Sequence, residues 1–161
     1  MVTLRCTLKL LKKLGMEYLS ETPEATTSLG DWFANILYTR QDHYILCVSE
    51  NSLLPILLSA KDLNTLIPRF LKQLSDVLIS MGIPNSSITK EIGQMSNLEF
   101  GCTKSKVVLG SMNDFVYNFK HMLPVRKSYA FTEWSLNLAE TPCGPLNYRS
   151  PMEITLKLFD I

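Results

Sequence analysis

Cys143 stands in a turn between Pro142 and Gly144, in the stretch ETPCGPL (140–146). A turn thiol beside an imidazolium is a candidate nucleophile, because the neighbouring charge favours thiolate. No residue nearby supplies the base, so His43 or His121 would have to reach it through folding. Read plainly, the flanking turn residues make the segment a helix stop. A second group, Asp31 and Asn35 with Asp114 and Glu140, offers oxygen ligands of the kind hard cations use in phosphodiester chemistry. Their spacing follows no metal motif, so no metal is assigned. Asp31 after Gly30 also reads as a turn or cap residue, and Trp32 as a core or rim aromatic.

The third group lies in CTKSKVVLGSMNDF (102–115). Lys104 and Lys106 precede Ser111, which reads as the cap of a helix carrying Asn113 and Asp114 in its first turn. Free N–H groups at such a start, with two lysines beside them, suit a phosphate or carboxylate. The alternative is capping plus surface lysines. The pattern GxxxxGK[ST] is absent, so nucleotide hydrolysis of that class is unsupported and no cofactor is expected. Near the N-terminus, Arg5, Lys9, Lys12 and Lys13 form a basic cluster. RCTLK and GCTKSK both put Cys-Thr at a strand end followed by lysine, so this cluster joins Lys104 and Lys106 if the two strand ends adjoin in a sheet. A solvated helix face is the simpler reading.

The elements that must position these groups show in the periodicity. VTLRCT alternates, with Val2, Leu4 and Cys6 on one face, and predicts a half-buried strand. Leu8, Leu11 and Leu14 take helical spacing and Gly15 stops it. Residues 20–30 are polar and turn-rich. DWFANILYTR and HYILCVSE, separated by Gln41-Asp42, predict a hairpin. Pro55 confines residues 53–59 to an edge strand or a helical first turn, and the edge strand is preferred. The spacing of Leu66, Phe70, Leu74, Val77 and Met81 predicts a helix over 64–81, with Pro68 in its first turn. A serine-capped helix from Ser86 or Ser87 to Met95 follows, then a strand at NLEFGCT. Further helices start at Ser111 and near Thr132, and SPME (150–153) is a capping box with proline at the first helical position. The order β-α-β-β-β-α-α-β-α-α-α interleaves strands and helices without regular alternation. It predicts an α+β fold: an antiparallel or mixed sheet of four to five strands, helices packed mainly on one face, over a single globular domain 1–161.

The bulk composition restricts function. With 46% hydrophobic and 19% charged residues the chain is globular, and its net charge of +1 gives no general attraction to nucleic acid or membrane. Nucleic-acid binding would need a local basic patch. The four cysteines include no CxxC pair, which suits reduced thiols in the cytoplasm. No basic leader with an unbroken apolar stretch opens the chain, and no apolar run approaches the roughly 18 residues of a membrane span.

Four stretches taken in order, LRCTLKLLKKL, TTSLGDWFANILYTR, VLGSMNDF and LAETPCGPLNYRSP, resemble the signature blocks of an uncharacterised bacterial domain family of small stand-alone proteins. The resemblance runs over nearly the whole chain and implies no activity, cofactor or catalytic residue. It does imply polar residues at Arg5, Thr7, Asp31, Asn35, Lys106, Ser111, Asn113, Asp114 and Glu140, all present here. It also associates the chain with mobile elements as cargo.

With no strong catalytic constellation, the expected function is a non-enzymatic binding or regulatory module for a protein, nucleic acid or anionic ligand. Its expected surface is Arg5, Lys9, Lys104, Lys106, Ser111 and Asn113. The alternatives are a small hydrolase or transferase acting on a phosphorylated or acyl substrate through Asp31, Asp114, Glu140 or Cys143, and an oligomerising protein using an exposed hairpin edge.

Overall fold

A computed structural model describes residues 1–161. Its elements follow the order read from the sequence: β1 (Val2–Cys6), α1 (Leu8–Leu14), β2 (Trp32–Tyr38), β3 (His43–Ser49), β4 (Pro55–Ser59), α2 (Leu66–Ser80), α3 (Asn85–Gly93), β5 (Leu98–Cys102), α4 (Lys106–Met122), α5 (Phe131–Ala139) and α6 (Pro151–Leu158). The strands form one sheet in the order β4-β3-β2-β1-β5. β1 runs parallel to both β2 and β5, while β2-β3 and β3-β4 are antiparallel. The fold is therefore α+β with a mixed five-stranded sheet, as expected.

Alternation along the strands makes two cores. Val2, Leu4 and Cys6 of β1, Trp32, Ala34 and Ile36 of β2, and Ile45 and Cys47 of β3 point to the first face, where α1, α2, α3 and α6 pack. Most helices thus lie on one side. Phe33, Leu37, Tyr44, Leu46 and Val48 point to the second face, covered by α4 and by the Trp134–Leu138 side of α5. β1 differs from the half-buried strand expected: all five residues are buried, Thr3 and Arg5 included. Instead of a helix, the connection 15–31 covers its second face, and Leu19 pairs with Gly101 at the β5 edge.

The helix ends show why each element starts where it does. Gly15 adopts φ 61° and its N–H closes α1 on the Leu11 carbonyl. Pro68 occupies the first turn of α2, where its missing N–H costs nothing. Ser150 accepts from the Glu153 N–H at 3.2 Å to start α6. Two caps differ from expectation. α3 begins after Pro84 with no serine cap. α4 begins at Lys106, capped by Ser105, which accepts from the Val108 N–H at 3.2 Å. Ser111 lies inside the helix, buried, because the apolar stripe starts at Val108 and runs through Met112, Phe115 and Phe119 past Gly110.

β4 is the edge strand that Pro55 predicted. Its exposed backbone is answered by α5, whose Ser135 hydroxyl accepts from the Leu57 N–H at 2.9 Å. Both hairpin strands, β2 and β3, are interior to the sheet, so the hairpin has no free edge with which to oligomerise.

Candidate binding clefts

Cys6 and Cys102 are direct partners in the parallel β1-β5 pair, so the two Cys-Thr strand ends do adjoin. The lysines that follow them nevertheless part company. α1 leaves to the first face and α4 to the second. Lys9, Lys12 and Lys13 line a groove on α1 alone. Lys104 turns instead towards Arg5, and Lys106 is exposed in the first turn of α4. The six residues expected to share one surface are distributed over several.

Arg5 sits at the floor of a cleft of about 370 Å³ with Thr22, Glu24, Asp31, Glu50 and Lys104 in its walls. Its side chain is 7% exposed and fully engaged. Nε and Nη2 donate to Asp31 Oδ2 at 3.2 and 2.9 Å, and Nη2 also donates to Thr22 Oγ1 at 2.7 Å. The other Asp31 oxygen accepts from the Thr3 N–H at 3.0 Å. The ion pair thus binds β1, β2 and the 15–31 connection together. With two basic and three acidic side chains, the cleft has no surplus of positive charge for an anion. Asn35 is committed too: its Oδ1 accepts from the Thr7 hydroxyl at 2.8 Å.

The catalytic candidates do not assemble. Ser111, Asp114 and Cys143 line a cavity of about 230 Å³, but neither histidine is among its walls. His43 packs on Tyr38 and His121 on Tyr117. The Cys143 thiol is buried, donates to the Thr141 carbonyl at 3.4 Å, and is pushed up by burial and then by Asp114. That is the opposite of activation. Asp31 belongs to the Arg5 cleft, and Glu140 and Asn113 are exposed outside both cavities. No three Asp, Glu, His or Cys side chains converge as metal ligands.

A cleft of about 930 Å³ opens at the end of the β2-β3 hairpin, where the sequence suggested no site. Tyr38, Tyr44, Leu123 and Trp134 form its apolar part, and Arg40, Lys120 and Lys127 its basic part. Strand register puts Tyr38 opposite His43 and Leu37 opposite Tyr44 at the hairpin end. Behind the wall, Tyr44, Phe119 and Trp134 pack edge to face, with centroids 5.0 Å (Tyr44–Phe119), 5.5 Å (Phe119–Trp134) and 6.1 Å (Tyr44–Trp134) apart. Trp134 Nε1 donates to the Arg126 carbonyl at 2.9 Å, which fixes the indole. Burial, and secondarily Asp42, raises the Tyr44 phenol, keeping it neutral. Asp42 is the acidic residue in the lining, and its carboxylate lies 3.8 Å from the Lys61 ammonium. Arg40 stands two residues after Tyr38 in the hairpin. Lys120, Lys127 and Trp134 arrive from distant elements.

Over residues 3–154 the chain matches the domain of unknown function DUF6933, and it belongs to that family. Comparison with curated proteins and with solved structures returned no match. No helix is long and apolar enough to cross a membrane.

Proposed function

We propose that the protein is a non-enzymatic binding module that takes an anionic ligand with a flat or apolar body in the hairpin-end cleft. The observation carrying this reading is the juxtaposition of Arg40, Lys120 and Lys127 with the Tyr38–Tyr44–Trp134 wall, against one carboxylate that already neighbours Lys61. An apolar wall with a few convergent charges is the usual form of a ligand site, and three cations on one rim favour negative charge. The anionic class is the one first suggested by the chain's lysines, but the place is different. Arg5 is neutralised by Asp31, whereas the rim lysines here have no acidic partner within ion-pair distance. A reducing, cytoplasmic setting suits the unpaired thiols.

The test uses a mononucleotide, AMP, as the probe. Trp32 is fully buried on the first face, so a fluorescence change on titration reports Trp134 at the cleft. Binding should weaken about tenfold in Lys120→Ala/Lys127→Ala and fall with added salt. Saturable binding unaffected by that double substitution, or none at millimolar AMP, would remove the cleft from consideration.

A further inference from the structure

Tyr38 forms one margin of the cleft. The same ring lies beneath two ammonium groups of α1, Lys9 Nζ at 4.9 Å and Lys13 Nζ at 6.0 Å from its centroid. Lys9 and Lys13 also line, with Lys12, the open groove of about 530 Å³ on α1. Tyr38, in the cleft wall, is therefore the residue beside which two of the three groove lysines stand. Lys9, Lys12 and Lys13 line the groove, and Arg40, Lys120 and Lys127 the cleft. These six are a large share of the 16 basic residues in a chain whose net charge is only +1. These two places thus carry local positive charge although the molecule as a whole is nearly balanced.

A single small anion occupies one concavity and leaves the other unused. A chain of regularly spaced anions uses both. Resting on the binding reading above, we infer that the ligand is a single-stranded nucleic acid, running from the hairpin-end cleft across Tyr38 to the α1 lysines. Cations track the phosphates, and the partly exposed Tyr38 ring offers surface to an unpaired base, the combination that single-strand binders use without reading sequence. A duplex fits less well, since its bases are already stacked on one another and the path bends around the hairpin end. Tyr38 is half-buried between α1 and His43, so it is held in place before any base arrives.

The experiment compares two probes on the folded full chain: AMP followed by fluorescence, and a labelled oligothymidylate of about 12 nucleotides followed by anisotropy. The oligonucleotide should bind at least about tenfold more tightly than AMP. The exposed-lysine variant Lys9→Ala/Lys12→Ala/Lys13→Ala should weaken the oligonucleotide about tenfold and leave AMP within about twofold. It should also reduce the slope of log K against log salt by about 2, at about 0.7 per lost phosphate contact. Lys120→Ala/Lys127→Ala should weaken both probes. If AMP binds but the oligonucleotide is no tighter, or the triple variant leaves it unchanged, the strand path is wrong and the small-anion reading stands. Equal affinity for a duplex of the same length also overturns the single-strand assignment. Failure of both probes overturns both readings.

Discussion

Cys6 and Cys102 face one another in register on neighbouring parallel strands, and both point into the first core or its margin. Cys47 joins the same row across the sheet, since Cys6 pairs with Ala34 and Ala34 with Cys47. The small side chains of this row leave room for the helices above. The two strand ends also explain why the shared Cys-Thr, each followed by lysine, does not gather lysines: equivalent positions in the sheet are followed by helices on opposite faces.

The thiols in that row differ sharply in access, which predicts their order of modification. Burial, and then the neighbouring Cys102, pushes Cys6 up to about 12, and burial drives Cys47 well above the ordinary thiol value. Cys102 is only half-buried. Timed alkylation of the native protein near pH 8, read by peptide mass spectrometry, should label Cys102 first and the buried Cys143 more slowly. Cys6 and Cys47 should react only on unfolding. Labelling of Cys6 at the rate of Cys102 would contradict the packing described for β1.

Gly101 is required by a close approach. A Cβ built there would stand 2.8 Å from Thr3 Cγ2 and 3.4 Å from Thr22 Cγ2. Thr3 lies on β1, fully buried, and has little freedom to move. Gly101→Ala should therefore destabilise by about 1–3 kcal/mol, the usual cost of overpacking. Thr3→Ser removes the obstructing methyl, so a double-mutant cycle by urea denaturation should recover part of the loss. Additive effects would show that the strain is relieved elsewhere.

Much of the fold was legible because local signals agreed. The α2 stripe, Gly15, Pro55 and the Ser150 capping box each have a short-range physical cause, and all produced the expected element. The start of α4 was misplaced because Ser111 and Ser105 are both acceptable caps. Only packing of Val108 against Phe33 and its neighbours in the second core decides for the earlier one. The burial of Arg5 was not legible either, since a charged residue on an alternating strand normally faces water. Its partner Asp31 is 26 residues away. The hairpin-end cleft shows the limit most clearly, because its basic rim is made by α4, the following turn and the hairpin, elements with no common motif.

Arg5 and Asp31 supply a prediction about stability in place of the binding or catalytic roles first considered for them. Removing one member of a buried ion pair leaves the other uncompensated, at a cost of about 3–5 kcal/mol. Asp31→Ala should incur a loss of that order, because it strands Arg5 and also removes the acceptor of the Thr3 N–H. Arg5→Met/Asp31→Ala should be less destabilised than the sum of its single substitutions. A loss below about 1 kcal/mol for Asp31→Ala would mean that water replaces the carboxylate, and that the 15–31 connection is less tightly closed over β1.

Glu91 of α3 ties the same connection through Ser28 and Leu29, and its behaviour with pH has a definite sign. Its two oxygens accept from the Ser28 and Leu29 N–H groups, each at 3.0 Å, and its residue is 3% exposed. Burial outweighs these bonds and Lys90, raising the carboxyl above 4.5. Because the folded value exceeds the unfolded one, the contribution is fully present below the unfolded value and is lost as pH rises through the folded value. Glu91→Gln does not titrate and leaves one backbone N–H without its acceptor, a penalty of about 1–3 kcal/mol. The wild-type advantage over Glu91→Gln should therefore be largest near pH 4 and narrow towards pH 7 in urea denaturation. An advantage that grows with pH would show that the two N–H donors, rather than burial, dominate the carboxylate.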